Sequence, residues 1–159
     1  MVDFSERELR DALGRFVTGV TIVTTMTADG PLGMTANSFS SVSLVPPLVL
    51  WSPARKSRRF PAFEAASHFA VHVLSDRQRA LAERFAAAGA DPFEGLPHGR
   101  GAGDVPLLPD CAARFECRHA AGYDGGDHLI VVGEVLRLEV SEQPPLVFFR
   151  GGFHRLVPA

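Results

Sequence analysis

The run Gly33-Met34-Thr35-Ala36-Asn37-Ser38-Phe39-Ser40-Ser41-Val42-Ser43 packs hydroxyls, one amide and small side chains together without a charge. Between Phe16 and Ala54, Asp29 alone is charged. Backbone amides and neutral hydrogen-bonding groups at close quarters suit a flat, uncharged ring with polar edges better than an ionic substrate. After the apolar run Leu48-Val49-Leu50-Trp51 comes Ser52-Pro53-Ala54-Arg55-Lys56-Ser57-Arg58-Arg59, with four cations in five residues beside two serines. Guanidinium, ammonium, hydroxyl and helix N-terminal amide groups are the usual partners of a phosphate. Taken singly, the first segment reads more simply as a serine-rich strand and the second as a solvated basic turn. In succession they describe a neutral cradle followed by an anion site, the parts that hold a phosphorylated aromatic cofactor.

Other chemistries find little footing. The chain has no glycine-rich dinucleotide fingerprint after a strand, no P-loop, no GxSxG and no HExxH. His68 and His72 stand four apart on a strand pattern with no carboxylate or thiolate set nearby, so they read as structural histidines. Cys111 and Cys117 lack CxxC spacing and have no nameable co-ligands. They are expected to be reduced thiols of a cytoplasmic protein, with no metal site. His128 follows the Gly125-Gly126 turn; on residue type and place alone it reads as a buried histidine at the start of a strand.

Positioning these groups takes strands and a few helices. Ser5-Glu6-Arg7-Glu8 is a capping box, with Phe4 and Leu9 placed as a hydrophobic staple and Leu9, Leu13 and Phe16 continuing one apolar face. Ser75-Asp76-Arg77-Gln78 is a second box, opening a helix through Leu81 and Phe85. Ser57 is placed to cap a shorter helix over 58–66, with Pro61 near its start. Strands are expected at 17–27, at 48–51 covered on both faces, at 68–74, at 113–120 and 128–140 around the loop 122–126, and at 146–150 and 153–156 around Gly151-Gly152. Gly133 marks a bulge or a close backbone approach. Six or seven strands at hairpin spacing predict a closed or nearly closed antiparallel barrel. The segment 87–110, rich in Gly and Pro, reads as a long loop, functional or disordered, with too many apolar residues for solvent filler.

Composition bounds the rest. The 159 residues, 46% hydrophobic and 21% charged, predict one globular domain over residues 1–159. A folded monomer of this mass exposes about 7,800 Å². A formal net charge of −2 gives no footprint for nucleic acid or an anionic membrane. The N-terminus is charged from Asp3, against a secretory leader, and the charge-free run 30–54 carries five serines and four prolines, against a membrane span.

Arg15-Phe-Val-Thr-Gly-Val-Thr-Ile-Val-Thr-Thr25, Gly33 through Ser43 and Pro46-Pro47-Leu48-Val49 together resemble the flavin reductase-like family. Leu81-Ala-Glu-Arg-Phe-Ala86, Pro106-Leu-Leu108, Phe115-Glu-Cys117, Gly126-Asp-His128 and Phe148-Phe-Arg-Gly151 continue the likeness in order, over roughly 10–156. The resemblance implies a mainly β fold, the FMN-binding split barrel, antiparallel and Greek-key-like with a few flanking helices. It implies a homodimer that oxidises NADH or NADPH and reduces FMN or FAD, supplying a separate monooxygenase component. Carried residue by residue, Thr35, Ala36, Asn37 and Ser38 would line the flavin ring. Trp51, Ser52, Lys56 and Ser57 would hold the ribityl-phosphate side, and Arg84 and Phe85 would approach from a helix. His128 and Arg150 would meet the nicotinamide, with His128 the residue nearest the chemistry. His154 departs from the family pattern in the closing strand. The alternatives are a flavin-holding carrier or sensor without turnover, and an oxidoreductase that turns bound flavin on another substrate.

Overall fold

The computed structural model describes residues 2–159. Helix α1 (Glu6–Leu13) starts at the expected capping box, where Ser5 Oγ accepts the Glu8 N–H at 3.2 Å and the Glu8 carboxylate accepts the Ser5 N–H at 2.8 Å. The staple does not close, because Phe4 and Leu9 are exposed, as are Leu13 and Phe16. The Val17–Thr27 run divides into β1 (Thr18–Gly19) and β2 (Thr21–Thr27), which join different sheets on either side of buried Val20. Then come β3 (Gly30–Ala36), β4 (Ser40–Leu44), β5 (Pro47–Trp51), α2 (Phe60–Ala65), β6 (His68–Val73) and α3 (Arg79–Ala86). The long segment holds β7 (Gly99–Arg100), a 3-10 turn and β8 (Pro106–Leu107), and the chain closes with β9 (Ala113–Gly125), β10 (His128–Val140), β11 (Leu146–Phe149) and β12 (Gly152–Arg155).

Two helices begin later than their sequence signals. Ser75 and Gln78 make half of the second capping box, the Gln78 side chain accepting the Ser75 N–H at 3.0 Å. A bridge between Ser75 and Pro145, with the Asp76 N–H on Pro144 O at 2.8 Å, holds the backbone extended, so α3 waits until Arg79. Ser57 closes a turn instead of capping, and α2 starts at Phe60 with Pro61 in its first turn. The strand β5 is covered fully on one face only, through Val49 and Trp51. The β9–β10 turn is tighter than expected, Gly126-Asp127 with His128 opposite Gly125. The terminal hairpin turns at Arg150-Gly151, both left-handed, one residue early.

Seven strands form one antiparallel sheet in the order β3-β2-β6-β9-β10-β5-β4. Its outermost strands are neighbours in the chain, separated by Asn37, Ser38 and Phe39 alone. A flat sheet would hold them roughly 29 Å apart at ordinary strand spacing. Three intervening residues reach only about 14 Å. The sheet must therefore roll up, and β3 and β4 face each other across a seam without a hydrogen-bonded ladder. One core fills the roll with Val23, Val49, Trp51, Phe69, Val71 and Val131, and Phe63 from α2. Gly133 lies at a register shift, where an added Cβ would stand 2.4 Å from Phe69 Cζ, so bulge and close approach coincide. A second core, with Val20, Leu74, Phe85, Phe93 and Leu108, joins the roll to α3 and to the small sheet β1-β11-β12. No helix among the described residues is long and apolar enough to cross a membrane.

The segment 87–110 is fastened to the sheet. Thr24 Oγ1 donates to Pro106 O at 2.6 Å, and Glu116 Oε2 accepts the Ala102 N–H at 2.8 Å. Fully buried His72 joins two elements, with Nδ1 on Ile22 O and Nε2 on the Leu108 N–H, each at 3.0 Å. Both bonds are satisfied only by the neutral ring with its proton on Nδ1. Burial pushes the His72 pKa down to about 3, against the favourable Ile22 carbonyl and with the help of Arg114 across the ladder. An unfolded histidine takes its proton near pH 6.5. Between pH 6.5 and about 3 the unfolded chain holds the extra proton, so stability falls as pH falls, by at most about 1.4 kcal/mol per unit from this group. His72→Gln should flatten that slope when unfolding free energies are measured in denaturant at pH 7, 5.5 and 4.5. A variant as acid-sensitive as the parent would place the slope elsewhere.

Candidate functional site

The seam brings the neutral segment to a cavity. Val20, Thr35, Ala36, Asn37, Ala86, Phe148 and Phe153 enclose about 200 Å³ where the end of β3 meets α3 and the β11–β12 hairpin. No charged side chain lines it. Phe148 and Phe153 meet edge to face at 5.6 Å and form one wall. Helix α3 forms another, pressed onto β3 because Gly33 has no side chain: a Cβ there would stand 2.6 Å from Phe85 Cε1. Thr35 Oγ1 donates to Ala82 O at 2.6 Å and pins the cavity floor to the same helix.

The chain beside the cavity is hydrogen-bonded to the basic turn. Ser38 Oγ accepts the Ser52 N–H at 2.9 Å across the seam, joining the neutral cradle to the first residue of the turn. Two of the turn's four cations are committed to the protein. Arg55 donates to Asp124 at 2.9 Å and to Gly126 O at 3.2 Å, and Arg59 forks onto Phe85 O and Ala87 O at 2.7 and 2.8 Å. Lys56 and Arg58 are exposed and make no salt bridge within 4.0 Å to the described residues. The Arg59 N–H donates to Ser57 Oγ at 3.2 Å, which leaves the Ser57 hydroxyl proton free to donate elsewhere.

The remaining expected site residues divide. The Trp51 ring is 1% exposed and packs edge to face on Phe63 at 4.8 Å, so it lies in the core and not on the cavity, its Nε1–H unpartnered among the described residues. Phe85 is 0% exposed and meets Phe93 at 5.0 Å; it supports the floor from beneath and does not enter the cavity. Exposed Arg84 donates to Glu94 O and so turns toward the long segment. His128 is not buried: its side chain is 43% exposed and its Nδ1 lies 2.7 Å from Asp127, whose carboxyl the histidine holds below its ordinary pKa. A bridge to Ala54 sets His128 beside the basic turn. Arg150 lies elsewhere, in a depression of about 420 Å³ with Arg10 and Arg15. The structure does not bring Arg150 and His128 together within one chain.

Val20, Ala86, Phe148 and Phe153 were not expected at the site. Their only sequence signal is the alternation of the terminal hairpin, which puts Phe148 and Phe153 opposite each other. The thiols take no part: burial raises Cys111 to about 11 and Cys117 to about 12, so both stay protonated and unpaired. Among the described residues no group of three or more His, Cys, Asp or Glu is placed to hold a metal.

A neutral slot with one aromatic wall and a polar floor, near a turn with free ammonium and hydroxyl donors, has the chemistry a phosphorylated aromatic ring requires. Comparisons with known proteins give the family. The family model for the flavin reductase like domain matches residues 13–157. The chain is 54% identical over 151 residues to the FMN reductase (NADH) SmoA of Agrobacterium fabrum, covering 95% of this chain and 86% of that one. It is 38% identical over 157 residues to HsaB, the reductase subunit of a flavin-dependent monooxygenase of Mycobacterium tuberculosis, covering 96% and 83%. The solved NADH:FAD oxidoreductase of Streptomyces globisporus, in complex with NAD and FAD fragments, superposes with a TM-score of 0.93 at 38% identity, covering 99% of this chain and 97% of that one. With the rolled antiparallel sheet and its seam cavity, these matches settle the family: the chain belongs to the flavin reductase-like domain proteins.

Proposed function

We propose that the chain is an NAD(P)H:flavin oxidoreductase that takes a hydride from NADH or NADPH, reduces FMN or FAD, and delivers it to a separate monooxygenase component. The observation that carries the reading is the junction of the two segments: Ser38, next in the chain to cavity-lining Asn37, accepts the N–H of Ser52 at the head of the basic turn. The names of the A. fabrum and M. tuberculosis relatives support it and make FMN with NADH the pair to test first. Residues 1–159 are read as one such domain. The two free thiols accord with a reducing, cytoplasmic setting.

A bound flavin supplies the hydride acceptor, and the protein's work is placement. Backbone groups of Thr35–Ser38, at the end of β3 and in the connection that follows, orient the polar edge of the ring. Phe148 and Phe153 keep water from its face. Ser52, Lys56 and Ser57 hold the phosphate through charge-assisted hydrogen bonds. His128, partly exposed beside the turn, steadies the nicotinamide. Its pairing with Asp127 fixes which nitrogen faces outward.

The second subunit of a homodimer is part of the reading. The described chain exposes 9733 Å², about a quarter more than the roughly 7,800 Å² of a monomer of its mass. Apolar side chains account for much of the exposure, Leu9, Leu13, Phe16 and Val17 by α1 and Leu136, Leu138 and Val140 along β10. A 200 Å³ cavity is also below the roughly 300–1,000 Å³ of a complete ligand site. Arg150, remote from His128 within one chain, would have to reach the nicotinamide from the partner.

Purified protein should oxidise NADH or NADPH only when flavin is added; no flavin-stimulated loss of either nucleotide would remove the proposal. Lys56→Ala with Ser57→Ala should weaken FMN by about ten-fold or more while riboflavin affinity holds, since charge-assisted bonds contribute about 1.5–3 kcal/mol each. Equal losses would make the turn a solvated surface. His128→Ala should raise the KM for NADH or slow stopped-flow hydride transfer by roughly five-fold with flavin affinity unchanged. A collapse of FMN affinity instead would assign His128 to the neighbouring phosphate turn. Sedimentation equilibrium should give a dimer, and a flavin-binding monomer at micromolar concentration would count against the shared site.

A further inference from the structure

Arg59 is the one cation of the basic turn that is tied to the cavity wall. Its two guanidinium bonds end on Phe85 O and Ala87 O, the carbonyls on either side of cavity-lining Ala86. Carbonyls at the end of a helix have no partner within it, and the negative end of the helix dipole favours a cation there. Arg59 thus caps the C-terminus of α3 from a different segment of chain, beyond the last turn that the Ala87 N–H closes onto Glu83 O. The same residue's N–H holds Ser57 Oγ. At the far end of the turn, Arg55 is held by Asp124 and Gly126 O. The outer arginines are therefore fixed in different directions, and Lys56 and Ser57 are carried between two anchors.

We propose that Arg59 is a positioning residue for phosphorylated flavin: its fork onto Phe85 and Ala87 holds Lys56 and Ser57 at the end of the cavity and sets the preference for FMN over riboflavin. The inference rests on the flavin reading above. In this proposal Arg59 acts through its fork on the α3 carbonyls and not as a phosphate ligand.

The test is equilibrium binding of FMN and of riboflavin, followed by flavin fluorescence, to the parent protein, Arg59→Met, Arg59→Lys, Lys56→Ala and the Arg59→Met/Lys56→Ala double variant, with thermal melts on each. Arg59→Met should weaken FMN by about ten-fold, comparable with Lys56→Ala, and riboflavin by less than about two-fold. The double variant should bind FMN little worse than Lys56→Ala alone, since residues acting through one another are non-additive. Arg59→Lys, with donors but no planar fork, should recover part of the loss. A lower melting temperature with unchanged FMN affinity would leave Arg59 as a helix cap only and overturn the proposal. Additive losses would make it a direct phosphate ligand, and equal losses for the two flavins would place its effect on the ring cavity; either overturns it. If Lys56→Ala leaves FMN affinity intact, the phosphate turn itself fails and the inference with it. A weakened Lys56→Ala beside a silent Arg59→Met removes the inference alone. Should Arg59→Met fail to fold, Arg59→Lys and Arg59→Gln carry the same comparison.

Discussion

Asn37, Ser38 and Phe39 are all that separates the outermost strands of a seven-stranded sheet. Their reach is about half the width of that sheet laid flat. This mismatch rolls the sheet, leaves an unladdered seam between β3 and β4, and places the short connection at the mouth of the seam. Because β3 pairs with β2 alone, its other edge keeps backbone donors and acceptors that no strand consumes. Elsewhere such an edge is a liability for aggregation. Here it is bent inward against α3 and the terminal hairpin, and becomes the polar floor of an otherwise apolar cavity.

The surrounding elements hold that floor still. Gly33 lets α3 lie against β3, Thr35 bonds to one α3 carbonyl, and Arg59 bonds to two more at its end. Two segments, β3 and the basic turn, thus converge on one short helix, so the cavity floor and the turn share a reference frame. His72, Thr24 and Glu116 do the equivalent for the long segment, whose Phe93 stands behind Phe85. In both places a buried or half-buried polar side chain spends its hydrogen bonds on backbone groups of a distant element, which fixes geometry more firmly than apolar contact would.

Local signals in the chain report local structure well. The Ser5–Glu8 box and the β9–β10 and β11–β12 hairpins depend on groups a few residues apart, and all appear. What the chain does not show is who covers whom. Trp51 and Phe85 belong to segments that form the site, yet both rings turn into cores built from α2, β6 and the long segment. Residue type cannot reveal that. Nor can it separate a cation that is paired from one that is free, and Arg55, Lys56, Arg58 and Arg59 look alike until Asp124, Gly126 and the α3 carbonyls claim two of them. The delayed start of α3 has the same origin, since Ser75 is held extended by Pro145, some seventy residues onward.

Several features of the single chain are one deficit seen from different sides. An apolar stripe on α1 and another on β10 lie open to solvent, although helix and strand otherwise bury such faces in this fold. The seam-end cavity has one aromatic wall, one wall from α3 and a floor, but too little volume to enclose a ring system with a partner nucleotide. Arg150, in a left-handed turn, lies in a depression lined with Arg10, Asp11 and Arg15. A hydride transfer needs two ring faces in contact with water excluded from both. One copy offers a surface for the first ring and nothing over the second. Under the proposed dimer, burying the α1 and β10 faces would supply the association energy, and the copy brought in would supply the missing wall, so that assembly and completion of the site become a single event.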